Sequence, residues 1–409
     1  MLSPEDNQRL THIEGDAPMG RLIRQKHWIP AMRSGALEAD GAPVGVRLFG
    51  KDYAVFRATD GRVGFIDEKC PHRGVSMLLA RNENCALQCI FHGIKIHVSG
   101  KAIQAPTQFG NQDAYLNRLK VNHYPVQEAG GLIWVWLGEG QTAPPFAQLE
   151  FMDIHASEIN ILIQDVACNW LQGVEATIDS SHVGVLHKNW LPALGGQSKF
   201  NIQNTAPSYE VELMDYGFRA AAIRQVEEHL YYVRTTQFLF PFYGFIPPYD
   251  KDSGDRLTII SVPIDDHHSR QIYLRYNHHR PIREGDWSRA ENPDAFAPVT
   301  GSRDNVWGQD REAMKSGNFS GFHNLQMEDF VVMLSMGSIA DRSSEQLCAS
   351  DTVIVQARRM FLKALRDQQQ GLNSPASDNT ADLKKVRSYS LLVDSPNKWN
   401  DSALINGAT

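Results

Sequence analysis

Two short segments, Cys70-Pro71-His72-Arg73-Gly74 and Cys89-Ile90-Phe91-His92-Gly93, are the most informative part of this sequence. Each segment combines one cysteine with one histidine, and fourteen residues separate the two segments. Thiolate sulfur and imidazole nitrogen are ligand atoms that bind transition metals. The glycine that closes each segment is typical of a tight loop. The two segments therefore predict one metal site with a loop on each side of it.

The order of the ligands distinguishes two kinds of metal site. A zinc finger places two cysteines on one arm and two histidines on the other. Here each arm carries one of each, as Cys70-x-His72 and Cys89-x2-His92. This interleaving matches a Rieske [2Fe–2S] cluster, in which two cysteines bind one iron and two histidines bind the other. We therefore predict a Rieske cluster; the alternative is a structural zinc site, which uses the same atom types.

Length and composition exclude several classes of protein. A chain of 409 residues predicts two domains, and 42% hydrophobic with 21% charged residues is typical of a globular protein. The net charge of −7 and the lack of a Lys/Arg block argue against nucleic-acid binding. The longest apolar runs, such as Leu132–Leu137, are too short to cross a membrane. Two of the five cysteines belong to the metal-binding segments and the other three are scattered, which is not a disulfide framework. Together with the absence of a signal-peptide pattern, this predicts a cytoplasmic location.

Short strands surround the two metal-binding loops. Runs of branched and aromatic residues separated by turn residues occur at Val46–Phe49, Tyr53–Arg57, Ala86–Ile90 and Ile94–Val98. We predict an N-terminal segment at 1–43, followed by an all-β cluster domain at 44–145 that ends at the linker Thr142–Pro145.

Longer strands and helices follow the linker. The β-type runs are Tyr209–Met214, Gly217–Gln225, Leu230–Leu239, Leu257–Ile264 and Gln271–Asn277, and helices are predicted at Leu325–Gly337 and Asp351–Gln370. These patterns predict a C-terminal α+β domain at 146–370, an antiparallel sheet covered by helices in a helix-grip arrangement. Residues 371–409 are polar and poorly periodic, so we expect a loosely held tail there.

A second metal site is indicated by Asp179-Ser-Ser-His182-Val-Gly-Val-Leu-His187. Asp179 and His182 are three residues apart, which places them on one face of a helix. His182 and His187 are five apart, so the helix must widen or break near Gly184 for both rings to reach one metal. Two histidines and one carboxylate form the facial triad of non-heme iron(II) oxygenases.

The carboxylate of this triad is not decided by chemistry alone. Glu328 and Asp329 both lie on the predicted helix near residue 330, and either side chain could face the histidine pair. His323 is a further metal-binding residue type nearby. If the histidines hold no metal, they are partly buried helix residues and Asp179 is a helix cap.

The chain resembles the oxygenase components of Rieske non-heme iron aromatic-ring oxygenases, in the phthalate dioxygenase-like branch. The resemblance extends from the N-terminus to about residue 370. Besides the two metal-binding loops, it rests on Glu14–Gly20, Cys168–Gln172, Glu175, Ile178–His182, Gln309–Gly321, Ile339–Ser343 and Ala349–Asp351.

The resemblance implies a role for each site residue. Cys70 and Cys89 would bind one cluster iron and His72 and His92 the other. The catalytic iron would be held by the family's three ligands, which are His182, His187 and Asp329 in this sequence.

The resemblance also implies the partners of the chain. Asp179 matches the carboxylate that links the catalytic site to a cluster histidine of a neighbouring subunit. A homotrimer, or a stack of two trimers, is therefore expected. No dinucleotide-binding glycine fingerprint is present, so electrons are expected from a separate NAD(P)H reductase that carries flavin and an iron–sulfur cluster.

One departure from the family bears on the substrate. Phthalate-using relatives have arginine in an Ala-Pro-Arg context, where this chain has Ala206-Pro207-Ser208. A second substrate arginine of those relatives matches Arg234. A single guanidinium can still bind one carboxylate through two hydrogen bonds. The alternative is that Arg234 forms a salt bridge at the edge of a sheet.

These features predict an oxygenase component of aromatic catabolism that uses O2 to hydroxylate an aromatic substrate. The expected substrate is a carboxylated aromatic other than phthalate, of the chlorobenzoate or phenoxybenzoate type. The alternative is oxidative O-demethylation of a methoxylated aromatic or biaryl carboxylate, such as a lignin-derived compound. A Rieske ferredoxin would need only the first domain, and a zinc-stabilised binding protein would leave His182 and His187 unexplained.

Overall fold

The computed structural model describes residues 2–140, 142–249, 254–282, 301–377 and 381–408. The chain divides into two units. The N-terminal unit comprises Glu14–Asp16 and Gly20–Phe146, and the C-terminal unit comprises Met1–Ile13, Ala17–Met19 and Ala147–Thr409. Among the helices in the described ranges, none combines the length and apolar content needed to cross a membrane.

The helices and strands of the described residues are numbered in chain order. The helices are α1 (Pro4–Thr11), α2 (Pro18–Lys26), α3 (Gln112–Leu116), α4 (Trp170–Ile178), α5 (Val183–Leu186), α6 (Leu191–Leu194), α7 (Lys199–Gln203), α8 (Arg311–Lys315), α9 (Leu325–Ser335), α10 (Thr352–Gln369) and α11 (Ser402–Ala408). The strands of the N-terminal unit are β1 (Ile29–Arg33), β2 (Val44–Leu48), β3 (Lys51–Arg57), β4 (Val63–Asp67), β5 (Arg81–Glu83), β6 (Ala86–Gln88), β7 (Lys95–His97), β8 (Ala102–Gln104), β9 (Val126–Ala129) and β10 (Leu132–Val135). The strands of the C-terminal unit are β11 (Ile159–Val166), β12 (Ser208–Met214), β13 (Gly217–Glu227), β14 (Leu230–Leu239), β15 (Tyr243–Ile246), β16 (Arg256–Pro263), β17 (Ser269–Tyr276) and β18 (Tyr389–Val393).

The N-terminal unit contains three small antiparallel sheets, ordered β1-β10-β9, β2-β3-β4 and β5-β6-β7-β8. The hairpin β6–β7 carries the second metal-binding loop, since β6 ends one residue before Cys89. The first loop follows β4. Leu87 and Ile96 are fully buried in a hydrophobic core that also contains Cys70 and Cys89. Each loop is therefore anchored through its cysteine, and the predicted all-β domain is confirmed.

One antiparallel sheet of eight strands forms the centre of the C-terminal unit, in the order β11-β17-β16-β15-β14-β13-β12, with β18 paired to β14. Helix α4 lies so close to this sheet that a Cβ at Gly173 would collide with the side chains of Ser261 and Gln271. Helix α9 lies against α4, since Gln172 Nε2 donates to the Met333 carbonyl at 2.8 Å. The predicted α+β fold is confirmed. Helix α9 carries Asp329, and α4 ends shortly before His182.

The expectation of a loosely held tail at 371–409 is wrong for β18. This strand pairs with β14 in antiparallel register, and Ser390 lies opposite Arg234. Tyr389, Leu391 and Val393 are buried on one side of the strand, within a cluster that includes Trp399. Because only alternate residues of a half-buried strand must be apolar, the polar composition of the tail concealed it.

Leu391→Ala is expected to lower the free energy of unfolding of the C-terminal unit by about 2–4 kcal/mol, because it removes buried methyl groups from a packed cluster. Leu391 is 8% exposed, whereas its neighbour Leu392 is 41% exposed on the opposite face of β18. Leu392→Ala is therefore a matched control, with an expected change within about 0.5 kcal/mol. Chemical denaturation followed by circular dichroism measures both, and equal effects would contradict the docking of β18.

Candidate metal centres and substrate cavity

The two cysteine–histidine loops have the same backbone hydrogen bonds. Cys70 donates its N–H to the carbonyl five residues later at 2.8 Å, and Cys89 makes the equivalent bond at 2.8 Å. Gly74 and Gly93, each four residues after the cysteine, donate their N–H groups back to the cysteine carbonyls at 2.9 Å. Both glycines have positive φ values, 73° and 72°, which residues with a Cβ rarely adopt. The repeated Cys–His–Gly pattern is therefore the sequence signature of one loop conformation used twice.

The four predicted cluster ligands lie together at these loops. The rings of His72 and His92 are 4.6 Å apart, and the side chains of Cys70 and Cys89 interact with each other. The cysteines are 4% and 2% exposed, whereas His72 is exposed and His92 half-buried. Burial raises the pKa of the Cys70 thiol, and a bound metal offsets this because a coordinated thiol is deprotonated. Two inner sulfurs and two outer imidazoles fit the donor set of a Rieske cluster.

In the C-terminal unit, His182, His187 and Asp329 bring their ligand atoms within 4.8 Å of one another. Asp329 Oδ1 lies 3.1 Å from His187 Nε2 and 3.6 Å from His182 Nε2. The other ring nitrogens face different carboxylates: His182 Nδ1 is 3.4 Å from Asp179 and His187 Nδ1 is 2.6 Å from Glu328. Both Nε2 atoms therefore face Asp329. Two imidazoles and a carboxylate, with both Nδ1 atoms supported by carboxylates, fit a mononuclear iron site.

The helix that precedes the two histidines ends earlier in the chain than expected. Helix α4 ends at Ile178, Asp179 is its C-cap with extended backbone, and His182 precedes the one-turn helix α5. The expected break at Gly184 is wrong, because the chain leaves the helix between Asp179 and His182. Gly184 instead permits close packing, since a Cβ there would collide with the backbone of α7. His182 and His187 thus flank α5, and their ring centres are 5.1 Å apart.

The three candidates near α9 have different positions. Asp329 faces both Nε2 atoms, and Glu328 lies on the Nδ1 side of His187. The ring of His323 is 73% exposed and lies 3.4 Å from Asp310. Helical residues that follow one another project about 100° apart, so two adjacent acidic residues can contact two sides of one imidazole.

The charges of this centre suit a divalent cation. Burial lowers the pKa of His187, but the neighbouring Asp329 and Glu328 carboxylates outweigh burial and raise the value to about 10. Burial disfavours the ionised form of Asp329, but His187 and His182 outweigh it and lower its pKa. The pKa of Asp179 is lowered in the same manner, mainly by His182. Both aspartates are therefore held ionised beside imidazoles, an arrangement that a metal dication completes.

A cavity of about 500 Å³ adjoins this centre, and His182, His187 and Asp329 form part of its wall. This volume lies within the usual range of small-molecule sites. Half of the remaining wall residues are apolar: Ala176, Val183, Trp190, Ala193, Leu194, Ile246, Pro247, Pro248, Leu257, Ile259, Leu325 and Met333. The apolar residues suit an aromatic ring, and the polar side chains, which include Asp179, Arg234 and Asp255, can orient the polar groups of a ligand.

Arg234 is the most deeply buried of the three arginines in the cavity wall, with 1% of its surface exposed. It lies on β14 within the sheet, between β13 and β18. Its Nη2 donates to the Pro247 carbonyl at 3.1 Å, and its guanidinium stacks over the Tyr249 ring at 4.4 Å. Its Nε is buried without an acceptor, and no carboxylate of the described residues forms an ion pair with it. The sheet-edge salt bridge considered from the sequence is therefore not formed by the described residues.

The two other arginines of the cavity wall are already paired. Arg256 lies 3.2 Å from Glu150, and Arg275 lies 2.6 Å from Asp255. Both were missed by sequence analysis, although Arg275 lies within a predicted strand and Arg256 directly precedes another. Ser208, at the start of β12, is exposed and is not part of the wall.

The C-terminal strand also supports the cavity wall. Ser388 Oγ donates to the Ile246 carbonyl at 2.8 Å, and Ser390 Oγ donates to the Pro248 carbonyl at 2.5 Å. The Ser388 carbonyl in turn accepts from Arg256 at 3.2 Å. Residues of the predicted tail therefore fix the segment that follows β15, which sequence analysis did not anticipate.

Comparisons with known proteins agree with both centres. Residues 27–125 match the Rieske [2Fe-2S] domain, and residues 135–406 match the LigXa C-terminal domain like family. The phthalate 4,5-dioxygenase oxygenase subunit of Pseudomonas putida is 35% identical over 98% of this chain and 94% of that protein. The 3-chlorobenzoate-3,4-dioxygenase oxygenase subunit of Comamonas testosteroni is 34% identical over 93% of each chain.

A solved structure shows the same fold. The terminal oxygenase of carbazole 1,9a-dioxygenase from Novosphingobium sp. KA1 has a TM-score of 0.58 and 19% identity, over 87% of this chain and 97% of that one. Both units of the chain thus have counterparts in that fold. The chain belongs to the Rieske non-heme iron oxygenases, as an oxygenase component with a Rieske [2Fe–2S] cluster and a mononuclear iron, and its system requires a separate reductase.

Proposed function

We propose that this protein hydroxylates an aromatic substrate that carries one carboxylate, which Arg234 binds. The observation that carries the proposal is a buried guanidinium without a carboxylate partner in the described chain, in the cavity formed partly by His182, His187 and Asp329. An unpaired buried charge is costly, so a ligand anion is its natural partner.

The number of free cations in the cavity argues for one carboxylate rather than two. Arg256 and Arg275 already contact Glu150 and Asp255, so neither has the same need for a ligand anion. Ser208, which replaces the arginine of phthalate-using relatives, lies outside the cavity wall and adds no charge to it. A chlorobenzoate or phenoxybenzoate, with an apolar remainder against the apolar wall, fits these features better than phthalate.

We propose that Cys70, His72, Cys89 and His92 hold the cluster and that His182, His187 and Asp329 hold the iron. The metal centres supply electron transfer and O2 chemistry when bound. The residues of the cavity position the substrate. Arg234 binds its carboxylate, and the apolar residues of the wall exclude water from its ring. The substrate atom that faces His182 and His187 then determines the product.

Asp179 is proposed to couple the two centres across a subunit boundary in a homotrimer, either single or stacked as a hexamer. Its Oδ2 contacts His182 Nδ1 at 3.4 Å, and its side chain is 24% exposed, which leaves it accessible to a second chain. A carboxylate between two imidazoles orients both and links their charges. Size-exclusion chromatography with light scattering tests the assembly, and a monomer that turns over at full rate would refute it.

The reductase is proposed to carry flavin and a plant-type iron–sulfur cluster. We place the system in the cytoplasm, because the NAD(P)H that feeds such a reductase is a cytoplasmic reductant.

A substrate screen by reductant-coupled O2 uptake tests the proposed function. It compares benzoates, phenoxybenzoates, methoxylated biaryl carboxylates and phthalates, with heavy-oxygen gas to label the products. Labelled hydroxylation of a monocarboxylate is expected. Formaldehyde from a methoxylated carboxylate would identify O-demethylation at the same site, and a preference for phthalate would refute the single-carboxylate assignment.

Arg234→Met is expected to raise KM for the best carboxylate substrate about 10- to 100-fold, because it removes a charge-assisted pair of hydrogen bonds. The neutral amide analogue of the same substrate should be affected much less. Arg311→Met, which removes an exposed arginine on α8, is the control and should leave KM unchanged. Equal losses for acid and amide would show that Arg234 acts on folding rather than on the carboxylate.

A further inference from the structure

Glu328 is a buried acid with an unusual set of partners. Its side chain is fully buried, and Oε2 lies 2.6 Å from His187 Nδ1. Its other oxygen, Oε1, accepts a hydrogen bond from Ser320 Oγ at 2.5 Å. Among the described residues its ion-pair partner is His187 alone, with no lysine or arginine in contact. A buried carboxylate in this setting requires a positively charged or strongly donating neighbour.

The loop that carries Ser320 is itself fixed. Asn318 Oδ1 accepts from the N–H groups of Ser320 at 3.1 Å and Gly321 at 2.8 Å. The Ser320 carbonyl accepts from Gln309 Nε2 at 2.6 Å. Ser320 is 7% exposed. The hydroxyl that holds Glu328 is therefore part of a rigid turn.

Two adjacent acidic residues of α9, Glu328 and Asp329, contact His187 on opposite sides of its ring. Asp329 contacts Nε2 at 3.1 Å, and Glu328 contacts Nδ1 at 2.6 Å, so both ring nitrogens have a carboxylate neighbour. A carboxylate on Nδ1 keeps the proton on that nitrogen and leaves the Nε2 lone pair for a metal. Since the ring is only 3% exposed, no water can take over this role without displacing protein.

The corresponding carboxylate of His182 is held differently. Asp179 lies 3.4 Å from His182 Nδ1 and is 24% exposed, whereas Glu328 is fully buried and 0.8 Å closer to its histidine. One imidazole thus has an accessible carboxylate and the other has a buried, braced one. The accessible carboxylate can contact a second chain, whereas the buried one can only orient its own histidine.

We propose that Glu328, braced by Ser320, is a positioning residue that fixes the tautomer and orientation of His187 and thereby controls how firmly the site retains iron. Asp179 instead couples the iron site to the cluster of a neighbouring subunit, and iron retention does not depend on it. This inference rests on the proposed assignment of His182, His187 and Asp329 as iron ligands.

The test is the rate at which a ferrous chelator removes the mononuclear iron from the intact protein, followed by absorbance of the chelate. Glu328→Ala is expected to release iron about 10- to 100-fold faster, the usual effect of losing such a supporting carboxylate. Glu328→Gln keeps an oxygen acceptor for the Nδ1 proton and should fall between wild type and Glu328→Ala. Ser320→Ala should accelerate release less than Glu328→Ala, because the carboxylate itself remains.

Two controls separate positioning from general destabilisation. Glu312→Ala removes an exposed carboxylate, 80% of whose side-chain surface is accessible, and should leave the release rate unchanged. Acetate matches the CH2–COO⁻ group deleted in Glu328→Ala, so it should slow release from that variant and not from wild type. A loss of folding would not be reversed by acetate, and the visible spectrum of the cluster reports folding of the N-terminal unit.

The outcomes distinguish this inference from the ligand assignment. If His182→Ala retains its iron, the proposed ligand set is wrong. If His182→Ala loses iron while Glu328→Ala retains it at the wild-type rate, the ligand set stands and the role of Glu328 is refuted. Faster release from Asp179→Asn than from Glu328→Gln would refute the division of tasks between the two carboxylates.

Discussion

Asp179→Asn is expected to reduce product formation about 100-fold or more while both metal centres stay loaded. Asparagine has nearly the same shape as aspartate but carries no charge, and it can face His182 Nδ1 with its amide oxygen. The contact of 3.4 Å to His182 can therefore survive, whereas the anionic link to a second imidazole is lost. The amide NH2 then takes the place of Oδ1, which accepts from the Ser181 N–H at 2.7 Å, so the substitution costs this local hydrogen bond as well.

The measurement separates electron transfer from substrate binding. After chemical reduction of the cluster, its reoxidation is followed by absorbance in a single turnover with substrate and O2. The reoxidation rate should fall in Asp179→Asn, with iron content unchanged. Asp165→Asn, at a surface carboxylate paired with Arg270 on β17, is the matched control and should behave as wild type. Near-normal turnover of Asp179→Asn would refute the coupling role.

His182→Ala is expected to abolish turnover and to lower the iron content to that of the cluster alone. The substitution removes one of three ligand atoms that lie within 4.8 Å of each other, which leaves only His187 and Asp329 to bind the iron. The visible spectrum of the cluster should be unchanged, since its four proposed ligands lie in the N-terminal unit. Metal analysis, visible spectroscopy and product formation measure the three effects.

The control for this variant is His323→Ala. His323 is also a histidine near α9, but its ring is 73% exposed and contacts Asp310. It should retain its iron and its activity. Bleaching of the cluster in His182→Ala would contradict the ligand assignment, because it would place His182 at the other metal.

Local patterns in the sequence predicted those features of the site that are formed by residues close together in the chain. The Cys–His–Gly loops at 70–74 and 89–93 form the same turn because the glycine conformation and the ligand spacing are both local properties. Four of the five longest strands, β13, β14, β16 and β17, were also predicted from runs of apolar and branched residues, whereas β11, of eight residues, was missed. The short strand β15 and the half-polar strand β18 gave weaker signals and were missed.

The position of the helix break shows where such patterns stop being sufficient. Gly184 was the residue expected to interrupt the helix, yet α4 ends at Ile178. Glycine tolerates a break but does not require one, and here its small size serves packing against α7. The break is instead located where Asp179 must turn toward His182.

By itself, the sequence determined the kind of cluster, the presence of a second metal site and the α+β class, because each is encoded by residues that lie close together in the chain. Only the tertiary structure decided which carboxylate supports which histidine, since His187 and Glu328 are separated by 141 positions. It also decided that Arg234 is buried in the cavity without a carboxylate of its own, and that Ser388 and Ser390 of the tail fix the cavity wall. These features depend on contacts between distant segments, which only the packing of the sheet and helices brings together.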